Sequence, residues 1–212
     1  MKVVCNDFKE VKLDLNEKLK IGFTTHLKEI STDNRIIDLN KKILNQLTNQ
    51  QNEIECENFT PILNISEMQL AYTHLAVIME NKSEKYKNAL SLLHKHRKIV
   101  DEIFDKFDVW ILPCSNVLPY EHNFDKSPIK IQNEFGEIKY WKTQSYTSIL
   151  SLVGNPIVVL PIGMIGHLPV GIQVIGRRNE DEMLLERCKI LQKIFSKNVK
   201  EPNVENLLNS KL

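Results

Sequence analysis

The stretch from Gly154 to Gly176 constrains the fold more than any other part of the chain. Gly154 and Pro156 form a helix stop, and IVVLP (Ile157 to Pro161) follows as an apolar strand. VGIQVIG (Val170 to Gly176) reads as a second strand, and the intervening IGMIGHLP, with Gly163, Gly166 and Pro169, reads as a hairpin loop. Gly171 and Gly176 inside a strand pattern point to a bulge or to the close approach of another backbone. Gln173 sits between apolar neighbours in a strand expected to be buried, so its amide should be hydrogen-bonded. Another apolar strand, DVWILP (Asp108 to Pro113), ends at proline and is expected to be covered on both faces.

The remaining elements supply partners for these strands. LKIGF (Leu19 to Phe23) reads as a short strand. Ser31, Thr32, Asp33 and Asn34 are candidate N-caps for a helix over Arg35 to Asn49. That helix carries Ile36, Leu39, Ile43 and Leu47 at intervals of three and four, a single buried stripe. NEIECENF (Asn52 to Phe59) alternates weakly as the next strand, so strand, helix and strand form a βαβ unit with parallel or nearly adjacent strands. Beyond Pro61 the periodicity predicts helices over Ile65 to Glu80 and Ser83 to Phe107, the second with Leu90, Leu93, Ile99, Ile103 and Phe104 inward. Cys114 to Tyr140 reads as a long loop, a length that tends to be functional or mobile. Helices over Lys142 to Val153 and Asp181 to Phe195 complete the pattern. The fold class is α/β, a mixed β-sheet flanked by helices, with one domain over 1–197 and a polar tail over 198–212.

Several function classes are disfavoured by the same residues. Lys plus Arg number 28 against 27 Asp plus Glu, so the near-neutral chain lacks the basic excess of a nucleic-acid binder. The four cysteines, Cys5, Cys56, Cys114 and Cys188, form no CxxC pair, which predicts reduced thiols rather than disulfides or zinc. MKVVCNDFKE lacks the apolar run of a secretory leader, and no apolar run approaches the roughly 18 residues of a membrane span, so a cytoplasmic protein is expected. There is no GxSxG elbow, P-loop or GxGxxG, and no cofactor is expected. His94 and His96 are two apart on a helix and so face different ways, which predicts a solvated surface within LHKHRK rather than a metal site. Cys114, His122 and Asn123 have the residue types of a thiol-protease triad, but such partners come from remote positions, and a structural cysteine at a strand end is expected. The run Glu180, Asp181, Glu182 offsets a helix macrodipole.

From Asp108 onward DVWILPCSNVLPYEHN, GNPIVVLPIG and LPVGIQVIGRRNEDEMLLERCKIL resemble the C-terminal region of the amidase-signature family. In that family a strand ending in Leu-Pro or Thr-Pro leads to a loop, often with a His-Asp step. A helix, a Gly-x-Pro turn, a Pro-Ile-Gly segment, Gly-Leu-Pro-Val-Gly-x-Gln-x-x-Gly and an acidic, leucine-rich helix follow. Order, spacing and residue types match, most specifically from Gly154 to Leu185. The resemblance implies the C-terminal part of the amidase fold and a family chemistry of carboxamide C–N hydrolysis. It places the loop from Cys114 beside the substrate pocket, so Cys114, His122 and Gln144 are the candidate pocket residues.

The departures from the family decide what activity to expect. The family's catalytic lysine and two serines lie in an upstream glycine-serine-rich segment, and no part of this chain resembles it. Ser115, Ser145, Ser148 and Ser151 stand outside such a context, so no catalytic residue carries over. The family's Gly-Leu-Pro reads His167-Leu168-Pro169, and its His-Asp step reads His122-Asn123. Gln144 occupies a position that is acidic in relatives supplying ammonia for tRNA-linked amidation. The resemblance therefore implies a C-terminal amidase fragment inactive alone. It also leaves open the pocket half of a split amidase or amidotransferase completed in trans, and a non-catalytic binding or assembly module. Expected partners are an N-terminal amidase half or further copies of this chain, with a small amide substrate only after completion.

Overall fold

The computed structural model describes residues 17–78, 83–122 and 124–199. The opening MKVVCNDFKE with Cys5, the residue Asn123 and the tail beyond 199 lie outside the described residues. Strand β1 (Leu19–Phe23) and strand β2 (Ile54–Asn58) are parallel and joined by helix α1 (Asn34–Thr48), the βαβ unit expected from the sequence. Asp33 is the N-cap of α1, its carboxylate accepting from the Arg35 N–H at 3.0 Å. Helices α2 (Ile65–Tyr72) and α3 (Glu84–Ile103) carry the chain across to strand β3 (Val109–Pro113), which pairs in parallel with the other side of β1. After helix α4 (Ser145–Val153), β6 (Ile157–Ile165) and β7 (Leu168–Ile175) form an antiparallel hairpin whose second strand joins β3. The sheet order is β2-β1-β3-β7-β6. It is mixed, as the α/β reading requires.

Alternation along the strands sends side chains to two cores. Ile21, Phe23, Val109, Ile111, Ile172 and Val174 face α1 and helix α5 (Asp181–Phe195). Trp110, Leu112 and Ile175 face the layer of α2, α3 and α4. Every residue of β3 is buried, which explains why its sequence shows no alternation of apolar and polar residues. Gln173 is buried on β7, and its amide donates to the Pro113 carbonyl at 2.9 Å, so the expected bond is made. Gly154 ends α4 in the left-handed region at φ 82°, and Arg97 of α3 donates to the Val153 carbonyl at 2.9 Å, satisfying a carbonyl that the helix end leaves open.

Several elements differ from the sequence reading. After Tyr72 the helix widens into a π turn, Thr73–Ile78. Helix α3 ends at Ile103 rather than Phe107, because Phe104 to Lys106 form turns that bring Phe107 under β1. Its buried stripe is Ala89, Leu93, His96, Val100 and Ile103, with Leu90 and Ile99 only half-buried. Residues 140–144 form a 3-10 turn before α4 begins. The hairpin loop is tighter than expected: β6 and β7 extend to a two-residue turn at Gly166 and His167. The long loop holds a two-stranded ribbon, β4 (Ile129–Lys130) and β5 (Glu137–Ile138), with its own small core of Val117, Ile129, Ile131 and Ile138.

Gly22 on β1 lies against the Phe107 ring, and a Cβ there would meet ring carbons at 2.7 and 2.9 Å. Phe107 is buried and packed on Phe59 at 5.1 Å between centroids, so the ring has little room to yield. Gly22→Ala should therefore lower unfolding stability by about 1–3 kcal/mol, read as a reduced denaturant midpoint with an unchanged slope.

Candidate functional site

In open α/β sheets ligands bind beyond the carboxyl ends of the parallel strands, where connections leave in opposite directions. Here β1 is followed by α1 on one face, while β3 on its other side leads into the ribbon and then α4 on the opposite face. The loops that follow β1, β2 and β3 thus meet at one end of the sheet.

The loop from Thr24 to Asp33 is the centre of this region. Thr24 Oγ1 accepts from the Trp110 indole N–H at 2.9 Å and donates to the Phe59 carbonyl. The Tyr146 hydroxyl, fully buried on α4, accepts from the Leu27 N–H at 3.1 Å and lies 3.0 Å from Thr32 Oγ1. Burial pushes the Tyr146 phenol up. Asn116 donates to the Ser31 carbonyl, and Asn133 donates to Ser31 Oγ and the Thr32 carbonyl. Asp33, only 1% exposed, accepts from Arg35 Nε and Nη2 and, through its second oxygen, from the Gln132 N–H. Burial alone would raise its carboxyl. The bonds from Arg35 and Gln132 outweigh that and hold it below the usual carboxylate range.

Hollows open among these loops. One, of about 250 Å3, is walled by Ile36, Val117, Leu118, Pro119, Tyr120 and Val170 and has Cys114 at its edge. The Cys114 thiol donates to the Gly171 carbonyl at 3.1 Å, and burial pushes its pKa up, as befits a structural thiol rather than a nucleophile. His122 lies in a second, wider hollow of about 650 Å3 that shares Tyr120 with the first, and its ring stacks on Phe124 at 3.9 Å. Gln144 is exposed at the start of α4 and lines neither hollow. Cys114 and His122 are thus brought to neighbouring hollows, and Gln144 stands apart from both. Asn123 lies outside the described residues.

A third hollow, about 410 Å3, lies between the start of α2 and the side of α3. It corrects the reading of the histidine pair. His94 is exposed, but His96 is only 1% exposed, its Nε2 lying 2.9 Å from Glu67, which also accepts from Lys95 at 2.8 Å. The bonds from Lys95 and His96 hold the Glu67 carboxyl below its usual range. Two-residue spacing separated the two rings as expected, but one of the separated faces is the α2 contact, which periodicity alone does not reveal. Sequence reasoning also treated Asp33 only as a helix cap and gave Tyr146 no role, because their partners are 99 and 119 residues away.

The hydroxyls of Ser115, Ser145, Ser148 and Ser151 are taken up by the backbone. Ser115 donates to Val117, Ser145 to Lys142, Ser148 to Ser145 and Ser151 to Thr147, each to a main-chain carbonyl. None of these bonds involves a lysine ammonium. Among the described residues no group of three His, Cys, Asp or Glu side chains is placed to hold a metal ion. Nor is any helix among them long and apolar enough to cross a membrane.

The chain is similar in sequence and fold to known proteins. The family model described as Amidase matches residues 57–185. A Glutamyl-tRNA(Gln) amidotransferase subunit of Thermotoga maritima is 26% identical over 108 residues, covering 51% of this chain and 21% of that protein. Among solved structures, a bacterial aryl acylamidase of the amidase signature family aligns with TM-score 0.59 and 18% identity over 91% of this chain and 49% of its own. The solved Thermotoga maritima amidotransferase subunit, 19% identical, superposes with TM-score 0.57, covering 80% of this chain and 41% of its own. The chain thus spans about a fifth of that curated relative and under half of each of these solved ones.

Two outcomes are expected. Asp33 titrates lower folded than unfolded, so its contribution to stability is complete above the ordinary carboxylate range and is lost as pH falls through the depressed folded value. Asp33→Asn, which keeps a capping amide but loses the charge, should cost about 1–2 kcal/mol at pH 7, and the gap to the parent should close in denaturation series below about pH 4. Separately, iodoacetamide at pH 8 should alkylate Cys114 at least tenfold more slowly in the folded chain than in urea, measured by peptide mass spectrometry.

Proposed function

This chain belongs to the amidase family, and on that premise we propose that it forms the pocket-and-scaffold part of an amidase-signature hydrolase, unable to cleave a carboxamide by itself. The observation that carries the proposal is the state of its serines. Ser115, Ser145, Ser148 and Ser151 each donate to a neighbouring main-chain carbonyl, so the hydroxyl proton has no base to take it. A serine without such a base is a poor nucleophile at neutral pH. Hydrolysis requires the family's lysine and paired serines, carried by a segment that nothing in this sequence resembles, whether that segment sits on the same polypeptide or on another.

The chain's own contribution is a wall for the acyl group. The apolar hollow beside Cys114 suits a small hydrophobic moiety, and the hollow holding His122, with Tyr120, Glu121 and Lys130, suits a more polar one. Gln144 adds an exposed amide at the head of α4. The name of the curated relatives makes membership of an amidotransferase the narrower form of this reading, with a multi-chain assembly as its setting. A cytoplasmic location fits the thiols of Cys56, Cys114 and Cys188, which are all free.

The test is direct. The purified chain, offered an aryl anilide, an aliphatic amide and glutamine in turn, should release no amine or ammonia above the buffer rate. Turnover that disappears on alanine substitution of any one of the four serines would overturn the proposal.

A further inference from the structure

The hollow at the head of α2 stands apart from the acyl wall. It shares no lining residue with the hollows beside Cys114 and His122. The Cys114 hollow is bounded by Ile36 and Val170, next to the core under α1 and α5, whereas Leu63, Ile65 and Ile99 of this one pack with the opposite core. Its volume of about 410 Å3 lies within the roughly 300–1,000 Å3 of small-molecule pockets.

One side of the hollow donates hydrogen bonds. Asn64 caps α2, its side chain accepting from the Glu67 N–H at 3.0 Å, and the Met68 N–H bonds the Asn64 carbonyl. That leaves the N–H groups of Ile65 and Ser66 without a partner among the described residues, at the positive end of the helix, and both residues line the hollow. Lys95 joins them from α3 and spends one of its three donors on Glu67 at 2.8 Å.

The other side accepts. Glu29 reaches the lining from the loop between β1 and α1, and no lysine or arginine pairs with it among the described residues. His96 forms part of the wall and is only 1% exposed. Its Nε2 faces the Glu67 carboxylate at 2.9 Å, so a neutral ring carries its proton there and keeps a lone pair on Nδ1. That buried Nδ1 has no hydrogen-bond partner among the described residues. An acceptor left so is destabilising, and a bound N–H group relieves it.

We propose that this hollow binds a zwitterionic α-amino acid with an apolar side chain. Its carboxylate lies on the Ile65 and Ser66 N–H groups and the Lys95 ammonium. Its ammonium sits between Glu29 and His96 Nδ1, and its side chain rests on Leu63, Ile99 and Ile62, the last 92% exposed at the rim. A simple anion leaves Glu29 and Nδ1 unused, and a simple amine leaves the helix end unused. Only a ligand with both charges meets both sides. The inference goes beyond the reading in the preceding section and does not rest on it.

Titration calorimetry of the full chain at pH 7 with L-leucine should show one site. Isocaproate, which lacks the ammonium, and isoamylamine, which lacks the carboxylate, should each bind about tenfold more weakly. Glu29→Gln should bring leucine down to the level of isocaproate without weakening isocaproate itself. Ser66→Asp puts a carboxylate in the first turn of α2, where it favours the helix and repels the ligand, so leucine binding should vanish while the thermal midpoint holds. The nitrogen NMR signal of His96 Nδ1 should move on adding leucine. Phe124→Ala, in the hollow that holds His122, should leave leucine affinity unchanged. No heat with leucine, equal affinity for the three probes, or indifference to both Glu29→Gln and Ser66→Asp overturns the site. So does leucine binding that leaves the His96 signal unmoved or that is lost in Phe124→Ala.

Discussion

The buried polar bonds of the loop between β1 and α1 hold the arrangement together. A loop at the end of a sheet ordinarily satisfies its backbone from water, but Thr24, Leu27, Thr32 and Asp33 are buried and must find partners within the protein. Those partners come from separate parts of the fold: Trp110 on β3, Asn116 just beyond it, Gln132 and Asn133 in the ribbon, and Tyr146 on α4. The loop therefore fixes the excursion between β3 and α4, which would otherwise rest on the four-residue core of the ribbon. Since the hollows beside Cys114 and His122 are walled by that excursion, their shape depends on bonds made at Ser31 to Asp33.

Local patterns carried much of this architecture in legible form. Helix α5 occupies Asp181–Phe195 as read, because its apolar positions repeat on one face and acidic residues open its first turn. The parallel pairing of β1 and β2 follows from a helix of suitable length between two short strands. The buried glutamine of β7 was predictable as a bonded group, since an amide among apolar neighbours has no other tolerable state.

Interactions between distant residues were much less legible. Helix periodicity placed His94 and His96 on different faces but could not tell which face meets α2 and Glu67. The ribbon strands are two residues long, below any period a sequence can display, and owe their existence to Val117, Ile129, Ile131 and Ile138 meeting one another. In the candidate site, the resemblance marked Cys114 and His122, which line adjoining hollows, and Gln144, which lines neither. The acid that organises the region, Asp33, looked like an ordinary cap because its bond to Gln132 spans 99 residues.

The two tryptophans stand in opposite surroundings. Trp110 is sealed in the sheet with its indole bonded to Thr24, and Trp141 projects from the turn before α4, 66% exposed with the Lys139 ammonium 5.0 Å from its ring. The molecule thus carries a pair of built-in fluorophores, one emitting from an apolar interior and the other from water. An ionic quencher would silence the outer indole and leave the inner one shining, so loosening of the excursion and melting of the sheet would appear as separate colours of a single emission band.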